Sequence, residues 1–394
     1  MSVLSILKNR NFAGLIAANT ILGSAFPIQM ILGALAGLML APLPVLATLP
    51  ASVQTLAGLL AAAPISILMG RIGRRAGFAL GGVLTLVGAV AAVLALYIDN
   101  FALLCAAHFL MGAGWSAFQY FRFAAGEVVA APLRPVAISL MLTSLLVAAL
   151  VGPQLFIVAR DALAPVPFAG AYGVIGLVAL VGLVPLLAVN IPLPERAPVT
   201  AGRFSALAAL QRGPVRRAVG IGAVSQGIMA FLMVPTPIAM IACGFSDVTA
   251  SDVIRWHIVA MFAPSFFTGF LIQRFGAQRI AVSGLVIIVA AAGFAASGIE
   301  AVHFYGALMV LGVGWNFGFI GATALLADAL ADEEKAAVQG INDTCIALAS
   351  TLASFAAGAV VAGLGWTILA LGAGAVVCLA LVLLALDRQA AVRA

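Results

Sequence analysis

Four soft donor side chains stand at helical spacing in two consecutive apolar runs: Met229 and Met233 in one, His257 and Met261 in the next. Within each pair the residues are four apart and so share one helix face. If the first run climbs from a boundary near residue 218, Met229 and Met233 lie about 16 and 22 Å up at 1.5 Å per residue. If the second descends to a boundary near 272, Met261 and His257 lie about 16 and 22 Å up by the same rise. The residues therefore pair by depth, Met233 with His257 and Met229 with Met261. Thioethers with one imidazole and no carboxylate suit a soft monovalent ion, Cu(I), better than Mg, Ca or Mn, and the usual zinc set is not assembled. The competing account is packing, since Met is a flexible core filler and such pairs in membrane helices are more often packing than ligand. Composition and spacing alone reach a soft-metal carrier.

The elements that must position these residues follow from composition. Of 394 residues, 64% are hydrophobic and 8% charged, against roughly 45–50% and about 25% in ordinary soluble domains. A soluble globular protein is excluded, and about twelve spans of about 20 residues fit the chain. The 41 Gly and 18 Pro agree, because both residues are commoner in transmembrane helices than in soluble ones. Apolar runs predict helices over 12–33, 45–69, 77–97, 101–125, 136–158 and 168–190, then 218–241, 250–272, 279–298, 302–328, 336–363 and 366–387. The expected organisation is an N-terminal six-helix bundle over 1–191, a polar cytoplasmic linker over 192–217 and a C-terminal six-helix bundle over 218–394.

Basic residues set the orientation. With the N-terminus cytoplasmic, that side holds Lys8, Arg10, Arg71, Arg74, Arg75, Arg134, Arg196, Arg203, Arg212, Arg216, Arg217, Arg274, Arg279, Lys335, Arg388 and Arg393. The other side holds Arg160 and Arg255. By the positive-inside rule both termini are expected to be cytoplasmic. The formal charge of +6 thus reflects topology; no basic stripe with interleaved aromatics points to nucleic acid. The basic N-terminus precedes an apolar run too long for a signal-peptide core, so it is expected to stay attached.

The halves repeat. Arg71-Ile72-Gly73 after the second span matches Arg274-Phe275-Gly276 after the eighth, an offset of 203, and Gly112-Ala113-Gly114-Trp115 in the fourth matches Gly312-Val313-Gly314-Trp315 in the tenth, an offset of 200. Parallel repeats are a layout of alternating-access carriers. On these residues the chain resembles the major facilitator superfamily, whose loop between helices 2 and 3 reads G-x-x-x-D-R-x-G-R-R. Ser66, Gly70, Arg71, Gly73, Arg74 and Arg75 stand there, with Gly269, Gln273, Arg274, Gly276 and Arg279 in the second copy. The acid of the pattern is missing from both copies. The resemblance implies an all-α membrane protein of twelve helices in two pseudo-symmetric bundles, with Arg71, Gly73, Arg74, Arg75, Arg274 and Gly276 in conformational-switch loops.

Met229-Ala-Phe-Leu-Met233, His257-Ile-Val-Ala-Met261 and the following Phe262-Ala263-Pro264-Ser265-Phe266-Phe267-Thr268-Gly269 are similar to the CcoA-type copper importers of the CcoA-like transporter family. Gln119 to Ala125 and Asn342-Asp343 also fit that family. The resemblance implies Met229, Met233, His257 and Met261 as metal ligands and copper, free or in a small complex, as cargo. It further implies uptake across the inner membrane to supply a cbb3-type oxidase, with cytoplasmic copper chaperones or exporters as partners, in a chain expected to be monomeric and to carry no prosthetic group. A sister branch moving riboflavin shares the scaffold and lacks the metal motifs.

Other residues invite narrower roles. Met240 and Cys243, farther out on the seventh span, are a candidate relay for the ion, with packing as the even alternative. Pro235 and Pro237 free backbone carbonyls there and let the helix bend. Cys105, Cys345 and Cys378 read as packing, and no cysteine spacing implies a disulfide framework. Arg122 and Asp343 are opposite charges inside spans of opposite halves, a candidate gate; local satisfaction by nearby groups is the plainer account. An imidazole ordinarily titrates near neutral pH, so His108 is a candidate proton-coupling site, against a structural imidazole. His303 reads as surface.

No enzyme constellation appears: no P-loop, no carboxylate dyad and no H-E-x-x-H. The expectation is an importer of copper, most simply Cu(I). The alternative is an organic-solute carrier, for riboflavin-like vitamin uptake or amphiphile export, in which the Met residues line an apolar pocket. A non-transporting metal sensor is a third class, disfavoured by the lack of a soluble domain.

Overall fold

A computed structural model describes residues 8–130, 133–191, 208–330 and 332–393. Of the linker expected over 192–217, residues 192–207 lie outside the described residues, and a helix already begins at Gly213. The chain forms two compact units, Met1–Ala197 and Pro198–Ala394.

In the first unit the helices are α1 (Arg10–Gly23), α2 (Ala25–Leu40), α3 (Leu49–Ile72), α4 (Arg74–Tyr97), α5 (Phe101–Phe118), α6 (Phe121–Glu127), α7 (Arg134–Ala159) and α8 (Ala169–Leu183). In the second they are α9 (Gly213–Met233), α10 (Thr236–Ala242), α11 (Asp247–Phe262), α12 (Ser265–Phe275), α13 (Ala277–Ala296), α14 (Ala301–Asp328) and α15 (Asp332–Arg393). Among the described residues, eleven stretches are long and apolar enough to cross a membrane. The last, Val338–Asp387, is folded at Gly365 (φ 80°) and serves as two passes, so twelve passes result.

Among the described residues, four passes consist of two α-helices in series rather than one straight helix: α1–α2 broken at Ser24, α5–α6 at Gln119 and Tyr120, α9–α10 at Pro235, and α11–α12 at Pro264. Each proline removes an N–H from the ladder and crowds the preceding turn. Hydroxyls help to occupy the carbonyls around the breaks, since no water can do so in hydrocarbon. Ser24 Oγ donates to Ile21 O at 2.6 Å, Thr236 Oγ1 to Leu232 O at 2.7 Å and Thr268 Oγ1 to Pro264 O at 2.8 Å. Such discontinuous helices line solute paths in membrane carriers.

The sequence repeat is a repeat of geometry. Gly73 and Gly276 both cap a helix in the left-handed region, at φ 89° and 87°, which side chains with a Cβ rarely enter. Their N–H groups donate to Met69 O at 2.9 Å and Ile272 O at 2.8 Å. Gly112 lets α5 close on α3, where an added Cβ would strike the Gln54 carbonyl. Gly312 does the same for α14 on α11, where a Cβ would lie 2.7 Å from His257 O and 2.9 Å from Met261 N. Small residues at crossings give the close packing that holds helices together in lipid.

Candidate functional site

The second unit holds the four soft donors. His257 is fully buried, and Met229, Met233 and Met261 are exposed by only 5–7%. All four are therefore buried. His257 Nδ1 lies 2.7 Å from the carbonyl of Leu308 on α14. A carbonyl only accepts, so Nδ1 carries the proton and Nε2 of the neutral ring holds a bare lone pair. That Nε2 is buried and has no hydrogen-bond partner. Below it on the same crossing, Asn316 Nδ2 donates to Met261 O and to Ser265 Oγ, both at 2.7 Å, and Thr268 Oγ1, its one hydrogen shared with Pro264 O, lies 2.6 Å from Asn316 Oδ1. Asn316 thus braces the break at Pro264.

Trp315 precedes Asn316 and turns toward other partners. Its indole N–H donates to Gln226 Oε1 on α9 at 2.8 Å, fixing the ring. Phe319 stacks on it at 4.9 Å with planes 15° apart, and Phe262 meets it edge to face at 6.0 Å.

The first unit carries the matching aromatic group. Trp115 stacks on Phe26 at 4.2 Å and 18°, and Phe118 meets it edge to face at 6.3 Å. A buried polar chain crosses four passes beside it. Tyr172 OH lies 2.7 Å from His108 Nε2, His108 Nδ1 lies 2.8 Å from Gln54 Oε1, and Gln54 Nε2 donates to Gln29 Oε1 at 2.9 Å. Gln54 Oε1 can only accept, so Nδ1 of His108 donates and its Nε2 accepts from the tyrosine. Both nitrogens are engaged by a neutral ring.

Other sequence-derived residues lie apart from these groups. Met240 is buried at α10, and Cys243 is a free, partly buried thiol at its end, its pKa pushed up by burial. Arg122 belongs to the first unit, where its guanidinium stands 4.8 Å from the Phe123 ring centroid. Asp343 belongs to the second and accepts from Asn342 Nδ2 at 3.2 Å. His303 is part of the N-terminal cap of α14, with Glu300 N donating to its Nδ1 at 3.3 Å. Arg274 lies 5.4 Å from the Phe275 ring centroid.

The acid absent from the loop pattern is supplied from elsewhere. Glu127, at the end of α6, pairs with Arg74 at 2.7 Å, and Arg74 Nε lies 3.2 Å from both carboxylate oxygens. Sequence reasoning passed over Glu127, although within 1–191 it is the one acid on the side expected to be cytoplasmic. It likewise passed over Gln29, Gln54, Tyr172, Gln226 and Asn316.

Twelve passes in two repeating six-pass units, with broken helices and polar groups buried inside, define a membrane carrier. The chain belongs to the major facilitator superfamily, whose members are transporters and not enzymes. The riboflavin transporter RfnT of Brucella anthropi is 40% identical over 364 residues, covering 91% of this chain and 90% of that one. An uncharacterised MFS-type transporter of Bacillus subtilis, YdeG, is 30% identical over 344 residues, covering 83% and 80%. No family model matches the chain. The human organic anion transporter MFSD10 superimposes with a TM-score of 0.69 at 14% identity, over 95% of this chain and 99% of that one. The E. coli fucose:proton symporter FucP does so with 0.60 at 16%, over 95% and 98%. These two structures establish the fold alone.

The copper expectation is corrected here. The relative found over nine-tenths of the chain is a riboflavin transporter and not a CcoA-type importer, so copper cargo and supply of a copper oxidase are withdrawn. The physical reason lies in how little the two motifs specify. A Met pair four residues apart is also what a buried helix face uses to fill irregular gaps, and the three thioethers are buried as packing requires. Among the described residues no group of three or more His, Cys, Asp or Glu is placed to hold a metal ion.

Proposed function

We propose that the chain takes up riboflavin, or a flavin close to it, across a bacterial inner membrane with both termini cytoplasmic. The observation that carries this reading is the 40% identity to a riboflavin transporter over 91% of the chain. The aromatic groups support it. Trp115 and Trp315, offset by the repeat, each stack with a phenylalanine, Phe26 in one unit and Phe319 in the other, and fused heteroaromatic rings prefer offset stacking on such surfaces. Interior Gln, His and Asn side chains add the few placed polar groups that orient a ligand in a largely apolar site. The basic residues that crowd alternate loops support the orientation. The two bundles are proposed to expose the substrate alternately to the two sides.

The test is uptake of radiolabelled riboflavin by a riboflavin-auxotrophic bacterium expressing the chain. Saturable uptake competed by unlabelled riboflavin and indifferent to copper chelators is expected. Growth only at high riboflavin, with no saturable component, refutes the reading.

A further inference from the structure

The repeat places His257 where the first unit has Gln54, and Leu308 where it has His108: the offsets, 203 and 200, are those of the Arg-x-Gly turns and the Gly-x-Gly-Trp segments. Each pair hydrogen-bonds across a crossing held close by glycine, Gly112 in one unit and Gly312 in the other. In the first unit the polar chain continues to Gln29 and Tyr172, and both nitrogens of His108 are partnered. In the second unit the chain stops. His257 spends its proton on Leu308 O, and its Nε2 lone pair ends without a donor in a fully buried ring.

A buried acceptor without a partner is costly to maintain. The ring cannot turn the lone pair away without breaking the bond to Leu308. Its environment selects the donor's chemistry. Met261 lies one turn along the same face of α11, and Phe262 meets Trp315 just beyond. Apolar side chains and aromatic edges favour flat rings over a chain of hydroxyls.

We infer that His257 Nε2 accepts a hydrogen bond from the ring imide N–H of the transported flavin, making His257 a specificity residue of the second unit. The inference rests on the flavin reading above. It differs from metal ligation in requiring a donor hydrogen and no ion.

The test is binding to the purified full chain in detergent, read by quenching of flavin fluorescence, with riboflavin and 3-methylriboflavin as probes. The methyl group removes the donor. The wild type is expected to bind the methylated probe roughly ten- to a hundredfold more weakly, the value of one buried hydrogen bond. His257→Phe is expected to bind both probes equally and weakly, and His257→Gln, whose amide oxygen accepts, to keep part of the preference. Equal affinity of the wild type for the two probes overturns the inference and leaves the flavin reading standing. Full preference retained in His257→Phe also overturns it, because the discrimination then arises from bulk at another contact. Should His257→Phe fail to fold, the wild-type ratio and His257→Gln still decide. No riboflavin binding by the wild type overturns both readings.

Discussion

Tyr172 donates to His108 Nε2 at 2.7 Å, and this one bond decides the state of the whole buried chain in the first unit. With Gln54 Oε1 accepting from Nδ1, every polar atom between Tyr172 and Gln29 that needs a partner has one, and no charge is required. A satisfied buried network rigidifies a core, and a broken one is expensive. The polar chain therefore fixes how α2, α3, α5 and α8 sit together within that unit.

Removing the terminal donor should expose that dependence. Tyr172→Phe leaves His108 Nε2 with a buried, unpaired lone pair and is expected to destabilise the protein by about 1–3 kcal/mol. Tyr97→Phe, at a half-exposed side chain, is the control and is expected to be neutral. Thermal unfolding in detergent, followed by circular dichroism, measures both. Equal melting temperatures for the two variants contradict the account.

The glycine crossings yield a second expectation. Gly312→Ala sets a methyl 2.7 Å from His257 O and 2.9 Å from Met261 N, both backbone atoms that cannot swing aside. Overpacking of this kind costs about 1–3 kcal/mol, and here it also moves His257 relative to Leu308. Gly363→Ala meets nothing within 4 Å and should leave stability unchanged. Chemical denaturation in detergent separates the two outcomes.

Much of the fold was legible in the residues, for reasons that differ by element. The span 77–97 was read within three residues of α4, Arg74–Tyr97, because hydropathy and flanking charge mark where hydrocarbon ends. The repeat was legible because Gly73 and Gly276 are needed for a backbone shape that only glycine adopts easily. The site was less so. His108 stood out as a titrating residue, yet nothing in its neighbours along the chain shows that Gln54 and Tyr172, 54 and 64 residues away, take both its nitrogens. Copper was not legible in Met229, Met233 and Met261, because i, i+4 thioethers look alike whether they bind or pack. Glu127 was missed because its partner Arg74 lies 53 residues back in sequence.

Removing sulfur tests the correction directly. Met→Leu conserves volume, and such swaps usually cost less than about 1.5 kcal/mol. The triple substitution Met229→Leu, Met233→Leu and Met261→Leu is expected to keep saturable riboflavin uptake, with copper accumulation equal to that of cells lacking the chain. Uptake lost in a variant that still melts cooperatively would assign the thioethers a direct part in binding.

Arg74 and Glu127 offer the last expectation, and it concerns the switch loop. The pair ties the turn after α3 to the end of α6 within one unit, through two nitrogens of one guanidinium. Both side chains are partly exposed, so the coupling in a double-mutant cycle should be only about 0.2–1 kcal/mol in stability. Its effect on transport should be larger than that, because the loop between the second and third passes must keep its shape while the unit moves. Glu127→Gln is therefore expected to lower the rate of riboflavin uptake while leaving its half-saturating concentration nearly unchanged, and Arg74→Glu to do the same. The exchanged pair, Arg74→Glu with Glu127→Arg, restores the attraction with reversed polarity and should recover part of the rate. Recovery in the exchange but in neither single variant identifies the ion pair as the element that matters; three equally slow variants identify the arginine's other contacts, with the Tyr120 ring and Met69 sulfur, instead.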